Sequence, residues 1–215
     1  NPYKWKKIIP EFPEAILLDA IPFSDRIVAI FESKNHPVIS VFDYSGNNLF
    51  DLAMPLASSI SGFSGSGDDE DLYFSMKSYT IPSIVYKFNI KTFKKELMQK
   101  TTVNYDFTQI EYKEVNYMSD DSISISMILV YKKGLILDGA NPTLLSTYGG
   151  FGVVNTPSFD PGIVFFVKKG GVYAFANVRG GGDKGKKWAL AGRGTHKQSS
   201  FDDFIAAAEY LIEEK

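Results

Sequence analysis

Eight short apolar runs in the first hundred residues constrain this chain more than any other feature. AILLDAIPF, RIVAIFES, PVISVFDY and LFDLAMP are rich in Val, Ile, Leu and Phe, and the turn formers SDR, KNH and SGNN separate them. ISGFSGSG, DLYFSMKSY, SIVYKFNI and FKKELMQK follow, broken by the acidic residues 68–71 and by Thr80, Ile81 and Pro82. Each set of four takes up roughly fifty residues, the period of a β-propeller blade. Residues 1–104 therefore read as the C-terminal part of a propeller, about two four-stranded antiparallel blades. Identity between the two cycles is too low to prove a repeat. Two blades alone would leave open edges, so the remaining blades are expected upstream.

From residue 105 the pattern changes. QIEYKEVNYMSDDSISISMILVYKKG reads as a long hairpin turning at Ser119, Asp120 and Asp121. PTLLSTYGGFG reads as a buried strand entering a glycine turn, TPSFDPGIVFFVKKG as a helix or loop, and GVYAFANV as an apolar strand. In the last segment Ser200 occupies the position of an N-cap, with Asp203 three residues on, an aspartate form of the capping box. Phe201, Phe204, Ile205, Ala208, Leu211 and Ile212 then recur at helical spacing and predict one buried face. Strands alternating with helices indicate an α/β layer sheet.

Several patterns look like chemistry and are better explained by structure. GGGDKGKK at 180–187 nearly spells a phosphate loop, but Lys187 stands where a Ser or Thr hydroxyl must hold Mg²⁺, and the following segment carries two more glycines. The carboxylates at 68–71 read as a solvated turn, since the glycine and distal glutamate of a calcium loop are missing. His196, Ser199 or Ser200, and Asp202 or Asp203 have the residue types of a hydrolytic triad. Triads, however, are assembled from separate loops. Ser200 is accounted for as a cap, Asp202 and Asp203 as complements to the helix dipole, and His196 as a solvent-facing loop residue. No Gly-x-Ser-x-Gly elbow occurs, and GFSGSG at 62–67 only approaches one. With His36 and His196 the only histidines, a histidine-based metal site is not expected. A net charge of −2 gives no basic footprint for nucleic acid or an anionic membrane. No apolar run is long enough to span a bilayer. The absence of cysteine fits a reducing compartment, the cytoplasm. The chain begins at Asn1 and stops within the helical pattern AAEYLIEEK, so both ends are expected to be cuts in a longer polypeptide.

YGGF at 148–151, TPSF at 156–159, GGVYAFANVRGGG at 170–182 and KQSSFDDFIAAAEYLI at 197–212 together resemble the prolyl oligopeptidase family. NPYKWKKIIPE at the start and YKKGLILDGANPTLL at 131–145 fit the same pattern. The resemblance is strong from about residue 112 onward and loose across the propeller part. It implies that residues 105–215 are the N-terminal half of an α/β-hydrolase domain. It also implies an internal fragment of a serine peptidase that cuts short peptides on the carboxyl side of proline. In that family the nucleophile elbow follows soon after the AAEYLI helix and the aspartate and histidine come later still. The catalytic serine, histidine and aspartate are thus expected in the remainder of the polypeptide, and this chain alone is expected to be inactive.

The resemblance carries over few residues. Tyr148 matches the tyrosine whose hydroxyl helps form the oxyanion hole, and Phe151 matches a phenylalanine lining the pocket for the proline ring. Gly149 and Gly150 would let the chain turn sharply beneath the substrate. Arg179 is expected to tie the RGGG loop to an acidic partner. No cofactor and no metal are implied, and the expected partners are short proline-containing peptides and the missing remainder of the chain. Two alternatives stay open: another branch of the family such as oligopeptidase B, or a non-catalytic interaction module on the same scaffold. Without its later strands the half sheet would expose an edge and an apolar face, and the fragment alone is expected to be poorly soluble or to associate.

Overall fold

The computed structural model describes residues 6–12, 15–33, 36–102 and 106–214. Residues 1–5 of the NPYKWKKIIPE stretch, and Lys34 and Asn35 of the expected KNH turn, lie outside them. The chain divides into two compact units, Asn1–Asn104 with Thr156–Phe159, and Tyr105–Asn155 with Asp160–Lys215.

The first unit is two four-stranded antiparallel meanders. One runs β1 (Ala15–Pro22), β2 (Arg26–Ser33), β3 (His36–Asp43) and β4 (Asn48–Ala53) in sequential order. The other runs β5 (Ser58–Ser64), β6 (Asp71–Ser78), β7 (Ile84–Asn89) and β8 (Lys95–Lys100). The two cycles of four runs are therefore two blades. His36 opens β3 instead of closing a turn.

Strand alternation explains how the core forms. Val28 and Ile30 pair with Val41 and Ile39 across β2 and β3, and all four belong to one cluster with Leu72, Phe74 and Met76 of β6. Their neighbours Ala29, Phe31 and Phe42 point to the other face and make a second buried cluster. Burying side chains of this size stabilises by roughly 1.5–3 kcal/mol each. The blades are also stitched by backbone: Phe23 bridges Gly67, and the Ser24 amide donates to the Gly67 carbonyl at 2.7 Å. Ser59 Oγ donates to the Pro157 carbonyl at 2.6 Å, which brings the short 156–159 segment into this unit. Each carboxylate of the acidic run has a polar neighbour: Asp68 takes the Ser24 hydroxyl, Asp69 the Ser66 amide, Glu70 the Lys91 ammonium and Asp71 the Asn89 amide.

The second unit is a mixed sheet with order β11-β12-β10-β9. β9 (Ile110–Met118) and β10 (Ser124–Lys132) form the expected hairpin, pairing from Met118 opposite Ser124 to Ile110 opposite Lys132. β11 (Thr143–Ser146) and β12 (Val172–Ala176) run parallel, joined through helix α1 (Pro161–Lys168). The N-terminus of α1 is set locally: Pro161 occupies its first turn, and Asp160 accepts from the Gly162 and Ile163 amides at 2.7 and 3.3 Å. A short helix α2 (Lys186–Ala191) precedes the long helix α3 (Gln198–Glu214).

α3 packs against β9, and Val115, Tyr117, Ile125, Met127 and Leu129 meet Ala206 and Ala207 in one cluster. Ile128 and Val130 point the other way, and α1 packs on β10 and β12. Among the described residues no helix is long and apolar enough to cross a membrane.

Three expectations are corrected here. β11 is four residues long and exposed to half-buried, because it lies at the border of the described sheet and pairs on one side only. Ser200 is not an N-cap: α3 begins two residues earlier, and the buried Ser200 hydroxyl donates to the Arg179 carbonyl at 2.6 Å. The buried face of α3 is Ser200, Asp203, Ala206 and Ala207, while Phe201, Ile205 and Ile212 are exposed. Phe204 and Leu211, also expected on that face, pack half-buried against the same cluster and Ala208 is half-buried, so the expected face is only partly right: small residues occupy its centre, where the helix lies close on the sheet.

Candidate active site

β11 and β12 end side by side, and the chain segments leaving their carboxyl ends carry Tyr148, Phe151 and Arg179. Crevices outside the carboxyl ends of parallel strands are the usual ligand sites of α/β sheets. After β11, Thr147 Oγ1 donates to the Ala176 carbonyl at 2.7 Å and ties the two strand ends together. The next residue, Tyr148, is 57% exposed, and its hydroxyl has no hydrogen-bond partner among the described residues. It lines a cleft of about 440 Å³ with Leu145, Val178, Lys197, Ser200, Phe201 and Phe204.

The turn after Tyr148 requires glycine. Gly149 has φ +56°, and a Cβ there would lie 2.4 Å from Val178 Cγ2. Phe151 follows, also in the left-handed region at φ +54°, with its ring 97% exposed. A bulky side chain there is strained, and such strain gathers at binding and catalytic sites. The conformation is held by neighbours: the Gly152 amide donates to the Gly180 carbonyl and the Val153 amide to the Gly150 carbonyl, each at 3.0 Å. Phe151 lines a second cleft, about 490 Å³, with Gly150, Ala189, Leu190, Arg193 and Lys197. A larger cleft of about 530 Å³, lined by Tyr131, Leu137, Leu211 and Ile212 among others, holds neither Tyr148 nor Phe151.

The glycine loop supports this turn from below. Gly180, Gly181 and Gly182 are buried, and a Cβ on Gly182 would sit 2.2 Å from the Gly152 carbonyl oxygen. The Gly182 amide donates to the Val153 carbonyl at 2.9 Å. The three glycines thus allow one backbone to lie directly on another, and no phosphate cradle is formed. α2, which follows, has Gly185 at its cap position with no side-chain cap.

Arg179, at the head of that loop, has the acidic partners that sequence reasoning could not name. Asp203, wholly buried, accepts from the Arg179 amide at 2.9 Å and from its Nε at 2.9 Å and Nη2 at 2.6 Å. Asp121, from the β9–β10 turn, pairs with the outer face of the guanidinium through Nη1 and Nη2. Ser119 Oγ donates to Asp203 at 2.7 Å, and the Tyr117 hydroxyl donates to the Asp203 carbonyl at 2.8 Å. Asp203 is therefore not part of a capping box. Its carboxylate turns inward because the guanidinium and the Arg179 amide offer it charge-assisted bonds. The Arg179 hydrogen bonds hold the Asp121 carboxyl below the usual carboxylate range. Burial pushes the Asp183 carboxyl up, although the Asn155 amide donates to it at 2.8 Å.

The triad-like cluster does not assemble. His196 is exposed on a short 3-10 turn, Ser200 and Asp203 point into the core, and Asp202 accepts from Gln198 Nε2 at 2.9 Å. Among the described residues no three metal-binding side chains come together.

Sequence reasoning gave Lys197 no role. Its ammonium donates to the Gly149 carbonyl, and it lines both clefts. The available signal was its place at the head of the KQSSFDDF block.

The comparisons with known proteins agree with this architecture. Residues 1–101 match the family model described as the prolyl oligopeptidase N-terminal β-propeller domain, and residues 157–215 match that of the prolyl oligopeptidase family. The prolyl endopeptidase of Elizabethkingia meningoseptica is 36% identical over 207 residues, 96% of this chain and 29% of the relative. A solved structure from a structural and mechanistic study of two prolyl endopeptidases superposes with a TM-score of 0.95 at 37% identity, covering 100% of this chain and 32% of that one. Prolyl oligopeptidase B from Galerina marginata, solved with a 35mer hydrolysis and macrocyclization substrate, gives 0.88 at 28% identity, covering 97% of this chain and 30% of that one. The chain thus spans about three-tenths of the length of these relatives. With the blades matched by one family model and residues 157–215, from α1 through α3, by the other, at this identity and superposition, the chain belongs to the prolyl oligopeptidase family.

Proposed function

We propose that these residues are part of a serine-type prolyl oligopeptidase that hydrolyses short peptides on the carboxyl side of proline. In this reading 1–104 is the C-terminal part of its propeller and 105–215 the N-terminal part of its hydrolase domain. The observation that carries the reading is the turn at 148–151. It presents an unpartnered phenol and a strained, fully exposed aromatic ring on adjoining clefts past the ends of two parallel strands. Tyr148 donates its hydroxyl proton in a hydrogen bond to the oxyanion that develops when the scissile carbonyl is attacked. Phe151 packs against the proline ring, which has no N–H to satisfy and suits an apolar aromatic wall. The serine nucleophile, the histidine base and the aspartate that orients it come from the rest of the polypeptide, so the 215 residues alone do not hydrolyse peptides. A chain with no cysteine fits a cytoplasmic enzyme.

The test of this reading is substrate discrimination in the full-length protein. Phe151→Ala should lower kcat/KM for a peptide cut after proline by roughly tenfold or more, as expected for an apolar pocket contact. The same peptide with alanine at that position should be nearly unaffected. An equal loss for both peptides would contradict the pocket assignment.

A further inference from the structure

We infer that Lys197 is a positioning residue that fixes the turn at 148–151, and through it the spacing between the oxyanion donor and the proline-ring wall; this rests on the assignment of Tyr148 and Phe151 above. Two observations carry it. Among the described residues, Lys197 is the one side chain that lines both the Tyr148 cleft and the Phe151 cleft. Its ammonium also donates to the carbonyl of Gly149, between those two residues. Among the described residues no other side chain hydrogen-bonds the backbone of 148–151.

The lysine is itself held. Its ammonium reaches Ser200 Oγ at 3.2 Å, and that hydroxyl donates to the Arg179 carbonyl at 2.6 Å. Its charge also lies over the Phe201 ring, 5.7 Å from the centroid. The turn is thereby connected through Lys197 and Ser200 to the segment anchored by the buried Arg179–Asp203 pair. Glycine at 149, 150 and 152 leaves the turn little intrinsic stiffness, so a charged donor aimed at its middle carbonyl restricts where Tyr148 and Phe151 can go. The ammonium does not act on the substrate; it acts on the peptide unit that carries the two groups that do.

The inference is tested in the full-length protein by a double-mutant cycle of Lys197→Met and Tyr148→Phe. A displacement of about 1 Å in a catalytic group can lower turnover by as much as ~100-fold. Lys197→Met should accordingly lower kcat by roughly ten- to a hundredfold and narrow the preference for proline over alanine. Lys197→Arg, which keeps a donor, should recover part of both. In the Tyr148→Phe background Lys197→Met should change kcat by less than about threefold, because the group it positions no longer acts. Fully multiplicative losses in the double mutant would overturn the inference, as would an Arg variant that restores thermal stability but neither turnover nor preference. If Lys197→Met does not fold, Lys197→Gln is read in the same cycle by the same criteria. If Tyr148→Phe alone leaves kcat unchanged, the oxyanion assignment fails and the lysine's role with it. If Tyr148→Phe lowers kcat while the lysine effect multiplies, only the lysine's role fails.

Discussion

Asp203→Ala is expected to destabilise the full-length protein by about 3–5 kcal/mol, the range for removing one partner of a buried ion pair. Asp203 is 0% exposed and Arg179 7%. Truncation would leave the Arg179 amide, its Nε and the Ser119 hydroxyl without the acceptor they now share. The Asp121 carboxylate, half exposed at the far side of the guanidinium, cannot reach those donors. A loss of that size is a large part of the 5–15 kcal/mol by which a typical domain is stable. It should be read as a shift in the urea midpoint. The penalty arises from a stranded buried cation, so replacing both residues, Asp203→Leu with Arg179→Met, should recover much of it. A single-mutant loss below about 1 kcal/mol would mean that water reaches the guanidinium and that the pair does not hold the loop. Asp121 adds a pH signature. Its folded carboxyl titrates below the usual range because of Arg179. Its contribution is therefore present above that range and fades as pH falls through the lowered folded value.

Tyr148→Phe is expected to lower kcat by roughly a hundred- to a thousandfold with little change in KM, as for loss of one oxyanion-hole donor. Removing one hydroxyl has so large an effect because it meets full charge only in the transition state. The substrate's neutral carbonyl gains little from it, so binding is spared. The geometry favours this split: the backbone leading into Tyr148 is tied at the end of β11 by the Thr147 bond to Ala176, while the Tyr148 hydroxyl is exposed and, among the described residues, unpaired. A Phe ring fills the same volume and retains the packing. Equal changes in kcat/KM and 1/KM with kcat untouched would show that the hydroxyl serves binding instead.

These predictions differ in how far the sequence could have led to them. The inner blade strands were legible because alternating Val, Ile and Phe between turn formers leave one arrangement that buries them, as the Val28–Val41 and Ile30–Ile39 pairs show, whereas β8, exposed at every residue, was legible only from its place in the cycle of four. The β9–β10 hairpin was legible for the same reason. α3 was legible as a helix but only partly in phase: Phe204 and Leu211 pack on the sheet cluster as expected, whereas the sheet selects Ala206 and Ala207 for close approach and hydrophobicity alone favours the exposed Phe201, Ile205 and Ile212. Asp203 was misread because its spacing from Ser200 satisfies a local capping rule. Its partners Ser119 and Arg179 lie 84 and 24 residues away, and a pairing at that distance leaves no mark in a local window. Tyr148 and Phe151 came from resemblance, and their local sequence indicates only a glycine turn. Lys197 stands at the head of the KQSSFDDF block, but nothing in that block points to its bond to Gly149; only the folded chain brings them together.

The most direct measurement is a crystal structure of the full-length protein with a peptide aldehyde ending in proline, whose adduct with the serine carries an oxygen where the oxyanion forms. The account predicts Tyr148 Oη at about 2.7–3.1 Å from that oxygen, with the inhibitor's proline ring against Phe151. Tyr148 turned away, with other groups alone bonding the adduct oxygen, would contradict it.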